Sequence, residues 1–140
     1  MKVLSDLNVV LDVVLNRQPW VVDSKQVWNA HQSGAIEGFL VATEVTNVCY
    51  IVRRLADEPT ARAAVRSCLA TFGILAVDQA TLEDADRQPG VDYEDNVCIA
   101  CATAAGVDLI VTRDPNGFLN STVPAVSPAE LMARLSSASP

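Results

Sequence analysis

The stretch VDYEDNVCIACATAAGVDLIVTRD, residues 91–114, decides the fold. Its first part has the length of a helix. It opens on Asp92, Glu94 and Asp95, where carboxylates complement a helix dipole, and it closes on Gly106. Its second part, VDLIVTRD, is a short apolar run that ends on Asp114 and reads as a buried strand. A helix that runs straight into a buried strand is half of a βαβ unit, and it predicts a parallel sheet covered by helices. Such a helix runs antiparallel to the strand it feeds, so it starts near that strand's carboxyl-terminal end. Asp95 and Asp114, distant in sequence, therefore belong at one edge of the sheet.

The same alternation extends outward in both directions. MKVLSD reads as a strand and LNVVLDVVLN as a helix that stops before Pro19. VVDSKQVWNAHQSG is a second helix with Gly34 as its stop, and EGFLVA a second strand. ATEVTNVCYIVRRLA and DEPTARAAVRSCLATFG are two further helices, with Gly73 after the end of the latter. ILAVD is a third strand, QATLEDADRQ a short helix, DPNGF a turn and VPAVS a last short strand. In SPAELMARL, Ser127 is placed as N-cap, with Pro128 at the first helical position and Glu130 three residues after the cap. Strand and helix alternating from end to end predict a three-layer α/β/α sandwich with a mostly parallel central sheet. Residues 1–135 are expected to form one domain, with 136–140 as a loose tail.

Bulk properties narrow the function. The chain has 140 residues, half of them hydrophobic, and a formal net charge of -7. An acidic protein is not an obvious partner for nucleic acid or anionic lipid unless bound metal reverses the local sign. No apolar run reaches the roughly 18 residues of a membrane span, and no signal peptide is visible. Of Cys49, Cys68, Cys98 and Cys101, only the last two have metal-like spacing, and the single histidine, His31, is far away. They read as a buried helix face, and free thiols suit a reducing cytoplasm. A dinucleotide-binding enzyme is excluded because no glycine-rich loop follows the first strand. A receiver domain needs paired acids after the first strand and a late lysine, whereas Asp6 stands alone and the last lysine is Lys25.

In open parallel sheets, ligands bind outside the carboxyl ends of the strands. Asp6 ends the first strand, Asp114 follows the fourth, and Asp92, Glu94 and Asp95 begin the helix between them and the third. If the first and fourth strands are neighbours, these acids meet. Clustered carboxylates repel unless protonated or bound to metal, and an all-oxygen donor set favours Mg²⁺ or Mn²⁺. Asp92 and Glu94 also suit plain capping roles. Asp12, Asp57, Glu58, Glu83, Asp84 and Asp86 read as solvated helix surface.

MKVLSDLNVVLD, VATEVTNVCYIVRR, DYEDNVCIACATAAGVDLIVTRDPNGF and VPAVSPAEL resemble, in that order, segments of a PIN domain. The likeness covers nearly the whole chain and is nearest to the short bacterial proteins of the VapC toxin type. It implies a Mg²⁺- or Mn²⁺-dependent endoribonuclease, in which acidic side chains hold metal and a metal-activated water attacks an RNA phosphodiester. By motif, Asp6, Asp95 and Asp114 match the family's catalytic, metal-holding acids. Asn8 matches the asparagine that orients the first aspartate, and Thr112 the hydroxyl after the fourth strand. Two positions depart from the pattern. Asn47, which can coordinate metal through its amide oxygen, stands where an acid is common; Glu44, one turn earlier on the same face, either substitutes for it as a metal ligand or points elsewhere; and Gly117 stands where many relatives have a further aspartate.

Arg53, Arg54 and Arg113 are the basic residues expected nearest the site. Phosphate contact is one reading of them, ordinary helix surface the other for Arg53 and Arg54. A cognate antitoxin and a homodimer are implied by the resemblance alone. The competing reading, carried by Asn47 and Gly117, is a catalytically weak or inactive PIN-like module that binds RNA or protein.

Overall fold

The computed structural model describes residues 1–139. Five strands form one sheet: β1 (Lys2–Ser5), β2 (Glu37–Val41), β3 (Gly73–Leu75), β4 (Leu109–Val111) and β5 (Ala125–Val126). Their order is β3-β2-β1-β4-β5, and every pairing is parallel. The expected mostly parallel sheet is thus wholly parallel. The helices are α1 (Leu7–Val14), α2 (Val21–Gln32), α3 (Ala42–Leu55), α4 (Glu58–Thr71), α5 (Gln79–Arg87), α6 (Tyr93–Ala104) and α7 (Pro128–Ala138). A 3₁₀ turn over Pro115–Phe118 replaces the turn expected at DPNGF.

A parallel sheet must be covered on both faces, and the strand alternation divides the core accordingly. Val3, Leu109, Val111 and Val126 pack with Val9, Val27 and Leu131 from α1, α2 and α7. Leu40 extends that face toward Val48, Val52, Ala61 and Cys68 of α3 and α4. The opposite face carries Leu4, Val41 and Ile110, packed against Ala85 of α5 and Val97 to Ala102 of α6. Burying a Leu or Ile side chain contributes about 1.5–3 kcal/mol, so these layers hold the sheet shut.

The caps form as their residues dictate. Ser127 Oγ accepts from Glu130 N at 3.2 Å while Glu130 Oε2 accepts from Ser127 N at 2.8 Å, a reciprocal capping box. Gly34 and Gly106 adopt φ of +76° and +65° behind α2 and α6, where a side chain would be strained. Helix α7 runs on to Ala138, so most of the expected tail is helical: each added residue gains a backbone hydrogen bond. Pro140 lies outside the described residues. Gly73 does not close α4 but opens β3, because Phe72 has already turned the chain extended.

His31 occupies a close approach between α2 and the sheet. A Cβ on Gly38 would lie 1.6 Å from its Nδ1, so the imidazole fills the space that a side chain on β2 would take. Its Nε2 shares a 2.9 Å hydrogen bond with Ser5 Oγ, and burial lowers its pKa to about 4. This histidine is a neutral core residue.

Candidate metal centre

Strands β2 and β4 flank β1, so the chain leaves the central strand toward one side and later returns on the other. That reversal opens a crevice at the carboxyl ends of β1 and β4, the place where open α/β sheets bind ligands. Asp6 and Thr112 follow those two strand ends directly. The Thr112 hydroxyl donates to Asp6 Oδ2 at 2.8 Å, and Leu7 N donates to Asp6 Oδ1 at 2.8 Å. Asp6 also caps α1, so the helix N-terminus faces its charge. Thr112 Oγ1 accepts in turn from Asp114 N at 3.1 Å and from Asn8 Nδ2 at 3.4 Å, while Asn8 Oδ1 accepts from Arg113 N at 3.2 Å. One threonine and one asparagine thus lock the loop after β4 to the start of α1.

Glu44 enters from the first turn of α3 and is buried. Its Oε2 accepts from Val41 N at 3.0 Å, and its Oε1 lies 3.3 Å from Cys98 Sγ, which donates to it. Ligand atoms of Asp6, Glu44 and Cys98 all lie within 4.8 Å of one another. Asp95 stands one turn before Cys98 on α6, and its backbone N–H is capped by Asp92 at 3.2 Å. A Cβ built on Gly117 would meet Asp95 Oδ2 at 3.0 Å and Asp114 Oδ2 at 3.5 Å, so these two acids converge over the 3₁₀ turn. Asp6, Glu44, Asn47, Glu94 and Asp95 line one pocket of about 200 Å³.

The electrostatics follow from this crowding. Burial, then the charge of Asp6, raises Glu44 to about 8. Burial, then Asp6, Asp92, Asp114 and Glu94, raises Asp95 to about 7. Asp6 is raised too, chiefly by burial and against the pull of Thr112 and Leu7. Each shift says that negative charge is costly here without a cation. The donor set is dominated by carboxylate oxygens on a rigid frame, which fits a hard divalent ion. Asp6, Glu44, Asp95 and Asp114 are the acids that could hold such an ion.

The positions singled out from sequence divide clearly. Asp6, Asn8, Glu44, Asp95, Thr112 and Asp114 come together, with Asp92 capping α6. Asn47 lines the pocket and its amide nitrogen donates to Glu94, while the α3 carboxylate buried beside Asp6 is that of Glu44. Arg53 and Arg54 lie exposed in the last turn of α3, Arg53 facing Glu58 at 3.9 Å, and neither lines the pocket. Arg113 turns away from it. Its Nε lies 2.7 Å from Asp12 Oδ2, and its guanidinium stacks 4.3 Å from the Trp20 ring centroid. Asp12 is accordingly not solvated surface but fully buried, held by Arg113 and by Ser24 Oγ at 3.1 Å. An ionised carboxylate at that depth requires such a partner.

Sequence reasoning missed Arg17 and Cys98, and left Glu94 between a capping role and a place in the acid cluster. Arg17 lines the pocket and is the one cation among its lining residues. Cys98 read as core because the apolar and site-facing stripes of α6 coincide there, although its i, i+3 spacing from Asp95 was a usable signal.

A five-stranded parallel α/β/α sandwich with carboxylates gathered at its switch point defines a class of acid-centred α/β proteins. The PIN domain family model matches residues 2–116, and the chain belongs to that family. Its fold is similar to that of a toxin–antitoxin complex from Klebsiella pneumoniae (TM-score 0.68, 19% identity, covering 90% of this chain and 97% of that one). It is similar to VapBC2 from Rickettsia felis, solved bound to a DNA fragment from its promoter (TM-score 0.72, 10% identity, 91% and 98% covered). It also resembles VapC20 of Mycobacterium tuberculosis, a toxin that cleaves the sarcin–ricin loop (TM-score 0.65, 13% identity, 77% and 86% covered). No curated protein sequence matches the chain. Among the described residues, no helix is long and apolar enough to cross a membrane.

Proposed function

We propose that this chain is a Mg²⁺- or Mn²⁺-dependent endoribonuclease, the toxin of a toxin–antitoxin pair acting in the cytoplasm. The observation that carries the reading is the meeting of Asp6, Glu44, Asp95 and Asp114, drawn from four separate segments, at the carboxyl ends of β1 and β4. A divalent ion held by these four acids would supply Lewis acidity to a phosphodiester and lower the pKa of a water beside it.

The chain's own residues set up the rest. Thr112 and the Leu7 amide hold both Asp6 oxygens, which fixes where that carboxylate points. The Val41 amide does the same for one oxygen of Glu44. Asn8 keeps the loop bearing Asp114 in register with α1. Arg17, half-buried beside the pocket, provides a positive charge for a substrate phosphate that would otherwise meet only acids. Arg53, Arg54 and Arg113 are not assigned that role.

Partner proposals rest on the neighbours and on surface character. Two of the similar structures are toxin–antitoxin assemblies, and an antitoxin is proposed here on that likeness. Tyr50 and Leu55 on α3 and Leu69 on α4 are more than half exposed, a surface suited to a homodimer.

The test is cleavage of a mixed set of labelled RNAs in Mg²⁺, in Mn²⁺ and in EDTA, beside Asp6→Asn and Asp95→Asn. Metal-dependent cleavage that falls at least about 100-fold in both folded variants supports the assignment. Cleavage equal in wild type and variants, or none by the wild type over a broad RNA set, rejects it.

A further inference from the structure

We propose that Cys98 is a ligand in the metal centre, and that its sulfur makes the site prefer thiophilic divalent ions such as Zn²⁺ and Co²⁺ over Mg²⁺. The inference rests on the reading that the acids hold metal, and it concerns a residue type that a purely hard-ion site has no use for.

Cys98 is buried on α6, one turn beyond Asp95, at the border between the apolar core and the acid pocket, and its Sγ contacts Glu44. Its neighbour on the same helix face, Cys101, points elsewhere, with its Sγ against the carbonyl oxygen of Ala76. Glu44 Oε1 sits 3.3 Å from Cys98 Sγ. For a tetrahedral Zn²⁺ with Zn–S about 2.3 Å and Zn–O about 2.0 Å, the sulfur–oxygen edge is about 3.5 Å. The Cys98–Glu44 separation of 3.3 Å, spanned by a hydrogen bond in the metal-free protein, is close to that edge. Asp6 supplies a third donor, all three ligand atoms lying within 4.8 Å of one another. The pocket these residues line leaves room for a fourth position.

Ligand softness then decides the competition. Mg²⁺ has little affinity for sulfur, so with Mg²⁺ the thiol stays protonated and donates to Glu44. Zn²⁺ and Co²⁺ gain a strong bond when the thiol gives up its proton to solvent and coordinates as thiolate. Zn²⁺ shares Asp6 and Glu44 with the Mg²⁺ set, so it displaces Mg²⁺ and blocks cleavage.

The experiment titrates CoCl₂ into the intact metal-free protein and follows absorption, then measures ZnCl₂ affinity by competition with a chromophoric chelator. Wild type, Cys98→Ser, Cys98→Ala and Cys49→Ser are compared, each checked for its fold by circular dichroism. The expected result is a near-ultraviolet thiolate-to-Co²⁺ charge-transfer band in wild type and Cys49→Ser. Both Cys98 variants lose that band and bind Zn²⁺ at least about tenfold more weakly, a loss larger than any change in their Mg²⁺ affinity. Co²⁺ bound without the band, or a band that survives Cys98→Ala, overturns the role of Cys98 while leaving the acid site intact. Failure to bind any of these ions overturns both readings. A band in a protein that cleaves no RNA upholds the thiolate ligand and rejects only the nuclease.

Discussion

The hydroxyl of Thr112 reaches across 106 residues of sequence to donate to Asp6 at 2.8 Å, joining the ends of the two strands that border the switch point. The same oxygen receives the Asp114 amide, so one atom sets the spacing of two acids. Thr112→Val keeps the shape and removes the oxygen. It is expected to cost about 1–2 kcal/mol of stability, because the Asp114 amide loses its acceptor. RNA cleavage is expected to fall about 10- to 100-fold, as when a partner that orients a metal ligand is lost. Urea unfolding together with single-turnover cleavage separates the two effects. Cleavage within twofold of wild type at full folding would dismiss the positioning role.

The acid cluster makes the metal-free protein unusual in its response to pH. Asp95 is raised to about 7 and Glu44 to about 8, so through these two groups the folded chain binds more protons than the unfolded one between about pH 4 and 8, which outweighs the one proton that His31, lowered to about 4, gives up on folding. By linkage, stability then falls as pH rises through that window. In EDTA, the melting temperature is expected to fall between pH 5 and pH 8.5. Saturating Mg²⁺ or Mn²⁺ should flatten or reverse the slope. A melting temperature that rises with pH in EDTA would contradict the burial of these charges.

Gly117 offers a place to add a carboxylate. A Cβ there meets Asp95 Oδ2 at 3.0 Å, so the end of that side chain must shift by a few tenths of an ångström to admit it. Gly117→Asp is expected to lower stability in EDTA, since a further like charge joins the cluster. In Mg²⁺ the order should reverse, with a larger metal-induced rise in melting temperature than wild type shows. Thermal scans at several Mg²⁺ concentrations check both signs.

Two arginines should behave oppositely. Arg113→Ala strips the buried Asp12 of its counter-charge, and breaking such a pair costs about 3–5 kcal/mol. Where the variant folds, its KM for RNA should change little. Arg17→Ala removes the cation beside the pocket and should raise KM about tenfold with stability nearly unchanged. Denaturation curves and steady-state kinetics on both variants decide it; the reverse pattern would return Arg113 to the RNA.

What the sequence revealed and what it hid follow from the range of the interactions. Ser127 with Glu130, Gly34 and Gly106 act within one turn, so their caps were readable from neighbours alone. Asp6, Asp95 and Asp114 were readable because strand ends and helix starts share an edge in a parallel sheet. Asp12 was not. It sits in a short helix beside Val9, Val10 and Leu11, and what makes its burial tolerable is Arg113, 101 residues later. Cys98 lies on a buried helix face as read, and only its contact with Glu44 was hidden, because an apolar helix face and a site-facing one look alike when the residue is small and soft. Glu44 and Asn47 were ambiguous from helix spacing alone, and only the tertiary fold separates the buried acid from the amide that bonds Glu94.

The position of β1 has a further consequence for the timing of synthesis. Strand β1, made before the other four strands, lies at the centre of the sheet, and its partner β4 is made only after residue 108. Until then Asp6 has no Thr112 to hold it, and neither Asp95 nor Asp114 can reach it through a sheet that is still half built. Parallel pairings of this span close late in folding. A nascent chain that stops short of β4 therefore carries no assembled acid cluster.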